Sequence, residues 1–300
     1  MLAFARSSPT PFVSMPLFGS HLSVAGGFHN AATRAGELDL AAVQIFTKSN
    51  HRWAAKTLTD HLVEEWNAAR SAAKLKFACS HASYLINFAT PEPALRQKSV
   101  DAMVIELERA DALGLSGVVV HPGSHVRSGE DVGLAAAASA VAEVLERARG
   151  GRCGLWLENT AGQGTNLGHQ LSHLGAIIDG VPEADRGRLG VCFDTCHAFA
   201  AGYDLRDEGE YARTFEELDE AVGLDRLACL HINDSKGGLG SRLDRHEHIG
   251  EGELGDDGFR GLMNDPRWAK TPFLLETPKK DRDGVPWDTV NVKRLQSLVN

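Results

Sequence analysis

Cysteine is scarce and odd in number. The five residues, Cys79, Cys153, Cys192, Cys196 and Cys229, fall mostly in apolar runs. This argues against a disulfide framework and fits reduced, buried thiols in a cytoplasmic compartment. Positive charge is not in excess either. The net charge of −9 argues against a broadly basic nucleic-acid binder and leaves only a local positive site open. No apolar run approaches the roughly 18 residues of a membrane helix, so no membrane partner is expected. No low-complexity linker divides the chain, and one domain is expected. The first fourteen residues, MLAFARSSPTPFVS, have no acidic residue and no apolar centre of a secretory signal. Residues 1–14 read as a disordered extension and 15–300 as the folded domain.

At 43% hydrophobic, 300 residues can bury a full core. Eight short β-rich runs recur: 16–23, 41–47, 76–83, 116–123, 153–160, 189–196, 226–234 and 272–278. Helical patterns separate them. Val100, Met103, Val104, Leu107 and Ala110 make one apolar face within 91–113. Pro91 after Thr90 suits the start of that helix, and Gly114 its end. Leu134, Val141, Val144, Leu145 and Ala148 line up within 132–149, and Leu58, Leu62, Trp66 and Ala69 within 58–70. Strands alternating with helices at about 36 residues per repeat predict a parallel sheet closed as a (β/α)8 TIM barrel. A doubly wound open sheet is the alternative.

In a barrel, chemistry sits at the C-terminal ends of the strands. Here the later runs end in His81, His121, Glu158, Asp194, His231 and Glu276, with His197 three residues after Asp194. A lone His after a strand is more often a loop hydrogen-bonder, and a lone carboxylate is commonly a helix cap. Six consecutive strands with the same ending outweigh that reading. Closing the barrel gathers these groups into one ring, and metals offset the cost of crowding carboxylates. His and carboxylate donors without Cys suit zinc or manganese in an open, catalytic site. Multi-metal sites suit phosphate esters, since they generate hydroxide and stabilise the leaving oxygen.

The stretch LDRHEHIGEG (243–252) adds Asp244, His246 and His248, which face one side of an extended chain. Alternation does not choose between the two histidines. CFDTC (192–196) places its cysteines in packing. The glycines of GQGTNLG (162–168) shape a loop, and His125 reads as a supporting or phosphate-contacting residue. Lys48, Lys236, Arg242 and Arg245 lie in loops at the same end of the barrel and are candidate phosphate contacts.

Several runs together resemble the endonuclease IV family of zinc-dependent apurinic/apyrimidinic endonucleases. They are GSHLSVAGG (19–27), HASYLINFA (81–89), HPGSH (121–125), LENTAGQGTNLG (157–168), GVCFDTCHAFAAGYD (190–204), HINDSKGGLGSRLDRHEHIGEGELG (231–255) and LLETP (274–278). The resemblance implies a (β/α)8 barrel with three zinc ions, manganese being an alternative at one site. His81 and His121 would hold one ion. Asp194, His231 and Glu276 would hold a second, with Glu158 bridging the two and serving catalysis. His197, Asp244 and His246 would hold the third, which selects His246 and leaves His248 a supporting or substrate-side role.

The implied substrate is double-stranded DNA with abasic sites or blocked 3′ ends, cut 5′ to the lesion by a monomeric enzyme. Tyr84 and Leu85 match residues that the family inserts into the DNA stack. In TKSNHRW (47–53) the family has an Arg two places before the Trp. His51 stands there, and Arg52 is the candidate to reach the same groove. Two rivals compete: a sugar isomerase or epimerase on a similar barrel, and a non-catalytic protein that grips damaged DNA. The isomerase would not need His197, Asp244 and His246.

Overall fold

The β-rich runs become eight parallel strands in a computed structural model that describes residues 15–300. They are β1 (Leu17–His21), β2 (Ala42–Ile45), β3 (Phe77–His81), β4 (Gly117–Val120), β5 (Gly154–Glu158), β6 (Leu189–Asp194), β7 (Leu227–His231) and β8 (Pro272–Leu275). Each pairs with its neighbours in sequence. The barrel closes where β8 meets β1, with Leu17 opposite Pro272 and Ser20 opposite Leu275. The closed sheet excludes the doubly wound alternative. The expected extension, residues 1–14, lies outside the described residues.

The helices are α1 (Phe28–Glu37), α2 (Asp60–Ala72), α3 (Pro93–Ala112), α4 (Glu130–Arg147), α5 (Leu171–Asp179), α6 (Thr195–Ala201), α7 (Glu208–Val222), α8 (Asp257–Asn264) and α9 (Trp287–Gln296). The apolar face expected for α3 is buried. Its start differs from expectation. Pro93, not Pro91, opens the helix, because Thr90 Oγ1 accepts from the Glu92 amide in a turn that precedes it. Gly114 follows the helix at φ +62°, as expected of its end.

Two packing layers support the site. The larger lies between strands and helices. There Trp66 is fully buried and donates its indole N–H to Leu113 O. The smaller layer packs Ala42, Cys79, Val119, Trp156, Cys192, Cys229 and Leu274 together. Cys79, Cys192 and Cys229 each precede a strand-end His or Asp by two residues, which places them on the same face of their strands. Gly117, Gly154 and Gly190 leave room for the Trp156 indole; a Cβ at Gly190 would lie 2.7 Å from Trp156 Cδ1.

Candidate metal centre

The strands deliver the polar residues at one end of the barrel. His81, Glu158, Asp194 and His231 are the last residues of β3, β5, β6 and β7. His121 and Glu276 follow β4 and β8 directly. Asp194 has a second role. Its Oδ1 caps α6 by accepting from the His197 amide at 2.7 Å, so cap and candidate ligand are the same carboxylate.

Three groups form. His81 Nε2 and His121 Nε2 lie 3.1 and 3.0 Å from Glu158 Oε2. His231 Nδ1 lies 2.8 Å from the other oxygen, Glu158 Oε1, with Glu276 Oε2 at 3.2 Å and Asp194 Oδ2 at 3.9 Å. In the third group, Asp244 Oδ1 lies 3.2 Å from His197 Nε2 and 3.5 Å from His246 Nε2. Donors about 2.0–2.2 Å from a tetrahedral zinc stand roughly 3.3 Å apart, so these spacings fit. His246 Nε2 is buried with no hydrogen-bond partner among the described residues, as a nitrogen reserved for an ion would be. All nine predicted residues are thus brought together. Two further groups, Cys192–Cys229–His231 and Glu130–His169–His173, are also close enough to hold an ion.

Neighbours set the orientation of the imidazoles. His81 Nδ1 is 2.8 Å from Ala82 O and His197 Nδ1 is 3.0 Å from Asn159 O, which leaves each Nε2 facing the carboxylates. His231 is reversed: its Nε2 meets Gln44 Oε1 at 2.9 Å, which frees Nδ1. Gln44 also donates to Glu276 Oε1 at 2.6 Å. Asn233 donates to Asp194 Oδ2 and accepts from the Glu276 amide, tying two carboxylates together. Asp234 accepts from the amides of Ser235, Gly250, Gly252 and Leu254 and so shapes the loop beyond His246. Sequence reasoning missed Gln44, Asn159, Asn233, Asp234 and His21, whose Nδ1 lies 3.2 Å from Glu276 Oε1. For Asn159 the available signal was an amide directly after the strand-end Glu158, and for His21 its place as the last residue of β1.

The electrostatics are those of a site built for cations. Burial disfavours a charged His231, yet Glu276 and Glu158 outweigh it and push its pKa up to about 10. Burial opposes His197 in the same way, and Asp194 and Asp244 lift it well above the usual imidazole range. Burial disfavours the Glu158 carboxylate, but His231 and His121 hold it well below its ordinary value. The ring of carboxylates draws positive charge into a buried space.

Two cavities flank the centre, of about 950 and about 170 Å³, and Tyr84 lines both. Tyr84 is 57% exposed, and its ring centroid stands 5.5 Å from His81. Leu85 is half-buried beside it, and Arg52 is exposed and lines the larger cavity. It is His51 whose ring faces Tyr84, at 6.5 Å. Lys48 departs from expectation. Its side chain is 1% exposed and paired with Glu106, so it is not free to meet a DNA backbone. Lys236, Arg242 and Arg245 are exposed. His248 is buried and stacks on Trp287 with centroids 3.6 Å apart, as a supporting role for the loop requires. His125 Nδ1 accepts from the Gly129 amide, a loop-shaping bond. Gly162, Gly164 and Gly168 all have positive φ, as a glycine-shaped loop requires.

Residues 32–298 match the family described as Xylose isomerase-like TIM barrel. The chain is 45% identical over 285 residues to a probable endonuclease 4 of Chloroflexus aggregans, covering 95% of this chain and 98% of the relative. The chain belongs to the endonuclease IV family. A probable endonuclease 4 of Citrifermentans bemidjiense is 44% identical, covering 95% and 99%. The crystal structure of endonuclease IV from Thermus thermophilus superposes with a TM-score of 0.82 at 38% identity, covering 94% and 98%. As a member of the endonuclease IV family, the chain is an enzyme of the DNA-repair hydrolases. A D-tagatose 3-epimerase-like protein, at 22% identity and a TM-score of 0.71, shares the fold alone. No helix among the described residues is long and apolar enough to cross a membrane.

Proposed function

We propose that the chain hydrolyses the DNA backbone 5′ to abasic sites, leaving a 3′-hydroxyl and a 5′-deoxyribose phosphate, and trims blocked 3′ ends. The observation that carries this reading is the division of Glu158: one oxygen faces His81 and His121, the other faces His231. His81, His121 and Glu158 would hold one ion, and Glu158, Asp194, His231 and Glu276 a second. His197, Asp244 and His246 would hold the third. The donor set is oxygen and nitrogen without thiolate, which suits catalytic zinc, with manganese an alternative at one site. When bound, the ions would supply a water nucleophile at neutral pH and positive charge for the phosphoryl and leaving oxygens.

The chain's own residues do the rest. Glu158 orients the attacking water. Gln44, Asn159 and Asn233 hold the donors in place through the bonds described above. Tyr84 and Leu85 fill the space vacated in the duplex, with Arg52 at the groove. An abasic nucleotide lacks stacking and pairing, so turning it out costs less than for an intact one. The triplet His197, Asp244 and His246 favours this reading over a sugar isomerase, which needs one or two ions. Five free, buried cysteines support work in the cytoplasm, and the family expectation is a monomer.

The ends of the product test the reaction class. A labelled duplex with one abasic site should yield a 3′ terminus that a polymerase extends without further trimming. A terminus that blocks extension would mark elimination chemistry and contradict hydrolysis.

A further inference from the structure

Glu106 belongs to none of the three ligand groups. It projects from α3 and is 1% exposed. Its Oε2 accepts from Thr47 Oγ1, and its Oε1 lies 3.5 Å from Lys48 Nζ. Both partners sit in the loop after β2. The same Oε1 accepts from the Ser83 amide at 3.2 Å, in the loop after β3. Lys48, itself buried, passes the connection on by donating to Arg52 O at 3.0 Å. Ser83 Oγ donates to Asn50 O at 2.8 Å, joining the loops directly.

Helix α3 supplies the rest of the clamp. Arg109 donates to Thr47 O and Lys56 O. Ser99 Oγ accepts from the Asn87 amide. Ser99 and Glu106 are seven residues apart, two turns, and therefore share a face.

A buried ion pair is a poor source of stability, because withdrawing two charges from water costs as much as their attraction returns. Here the pair accomplishes something else. Three donors from two loops converge on one carboxylate, and those loops carry His51 and Arg52 on one side and Tyr84 and Leu85 on the other. We propose that Glu106 is a positioning residue that couples loops 47–56 and 83–86 into one unit, so that both engage DNA together. The proposal rests on the DNA reading above for its purpose, though not for the coupling itself.

Hydrogen exchange on the metal-loaded protein tests the coupling. Glu106→Ala should lose protection in both loops together, with metal content unchanged. Glu106→Gln keeps an acceptor for Ser83 and should retain most of the protection. Loss confined to one loop overturns the proposal. In cleavage of an abasic duplex, Glu106→Ala should raise KM about tenfold while kcat stays within about threefold, and Glu106→Gln should recover most of the loss. A fall in kcat at unchanged KM overturns it equally. Should Glu106→Ala fail to fold, the double variant Thr47→Val and Lys48→Met, which removes both donors of the first loop while the Ser83 amide keeps its acceptor, takes its place. Protection should then fall in both loops, and loss confined to 47–56 overturns the proposal. A wild type that leaves abasic DNA uncut defeats the DNA reading, while the exchange comparison still decides the coupling.

Discussion

Glu158 Oε1 lies 2.8 Å from His231 Nδ1, and the opposite nitrogen of that ring lies 2.9 Å from Gln44. The amide oxygen of Gln44 therefore fixes the proton on Nε2 and leaves Nδ1 as the donor toward an ion. Gln44→Leu removes that anchor and the bond to Glu276 while keeping the volume. It should weaken the ion held at His231 by about 10–100-fold, as loss of such supporting bonds does. Competition with a chelator measures this. Unchanged affinity would contradict the role given to Gln44.

The loop after β7 makes an asymmetric prediction. His246→Ala should lose one ion per chain and most activity, because His246 Nε2 faces Asp244 and has no hydrogen-bond partner among the described residues. His248→Ala should keep every ion and instead lower stability by about 1 kcal/mol or more, from the lost stack on Trp287. Metal analysis beside thermal denaturation separates the two. Loss of the ion in His248→Ala would reverse the assignment.

Metal removal couples to pH. In metal-free protein, His231 is pushed up to about 10 despite burial, by Glu276 and Glu158. Its protonation stabilises the fold fully below about pH 6.5, and that contribution fades as pH rises through about 10. Ions displace those protons, so their binding strengthens with rising pH. The gap in Tm between metal-loaded and chelated protein should widen from about pH 7 to about pH 10. A gap that narrows would contradict the electrostatic account.

Tyr84 tests the opening of DNA. It stands exposed between the two cavities. Tyr84→Ala should weaken the hold on an abasic duplex by about 1–3 kcal/mol, the usual worth of an aromatic stacked on a base. Binding titrations would show this with ion content unchanged. Equal affinity for wild type and variant would remove Tyr84 from the interface.

The barrel and nine candidate ligands were legible because most of the ligands end or follow an apolar strand, and closing the barrel gathers those ends. The supporting residues were not. Gln44 sits within AAVQIFT and meets His231 across 187 positions, a contact no local pattern encodes. Lys48 looks like a surface cation until Glu106 arrives from α3 to bury it. The role of His248 depends on Trp287, which only the return of α9 supplies. Alternation within LDRHEHIGEG treats His246 and His248 alike. Their difference lies in what the rest of the chain places against each.

The central claim is that the nine residues hold three ions for phosphodiester hydrolysis. Metal analysis of the purified protein, together with its action on a duplex bearing one abasic site, tests it most directly. The account predicts about three ions per chain, as three donor groups of this kind would bind, and a single cut 5′ to the lesion. Fully metallated protein that leaves this duplex intact, or cleavage by protein that holds one ion, would contradict it.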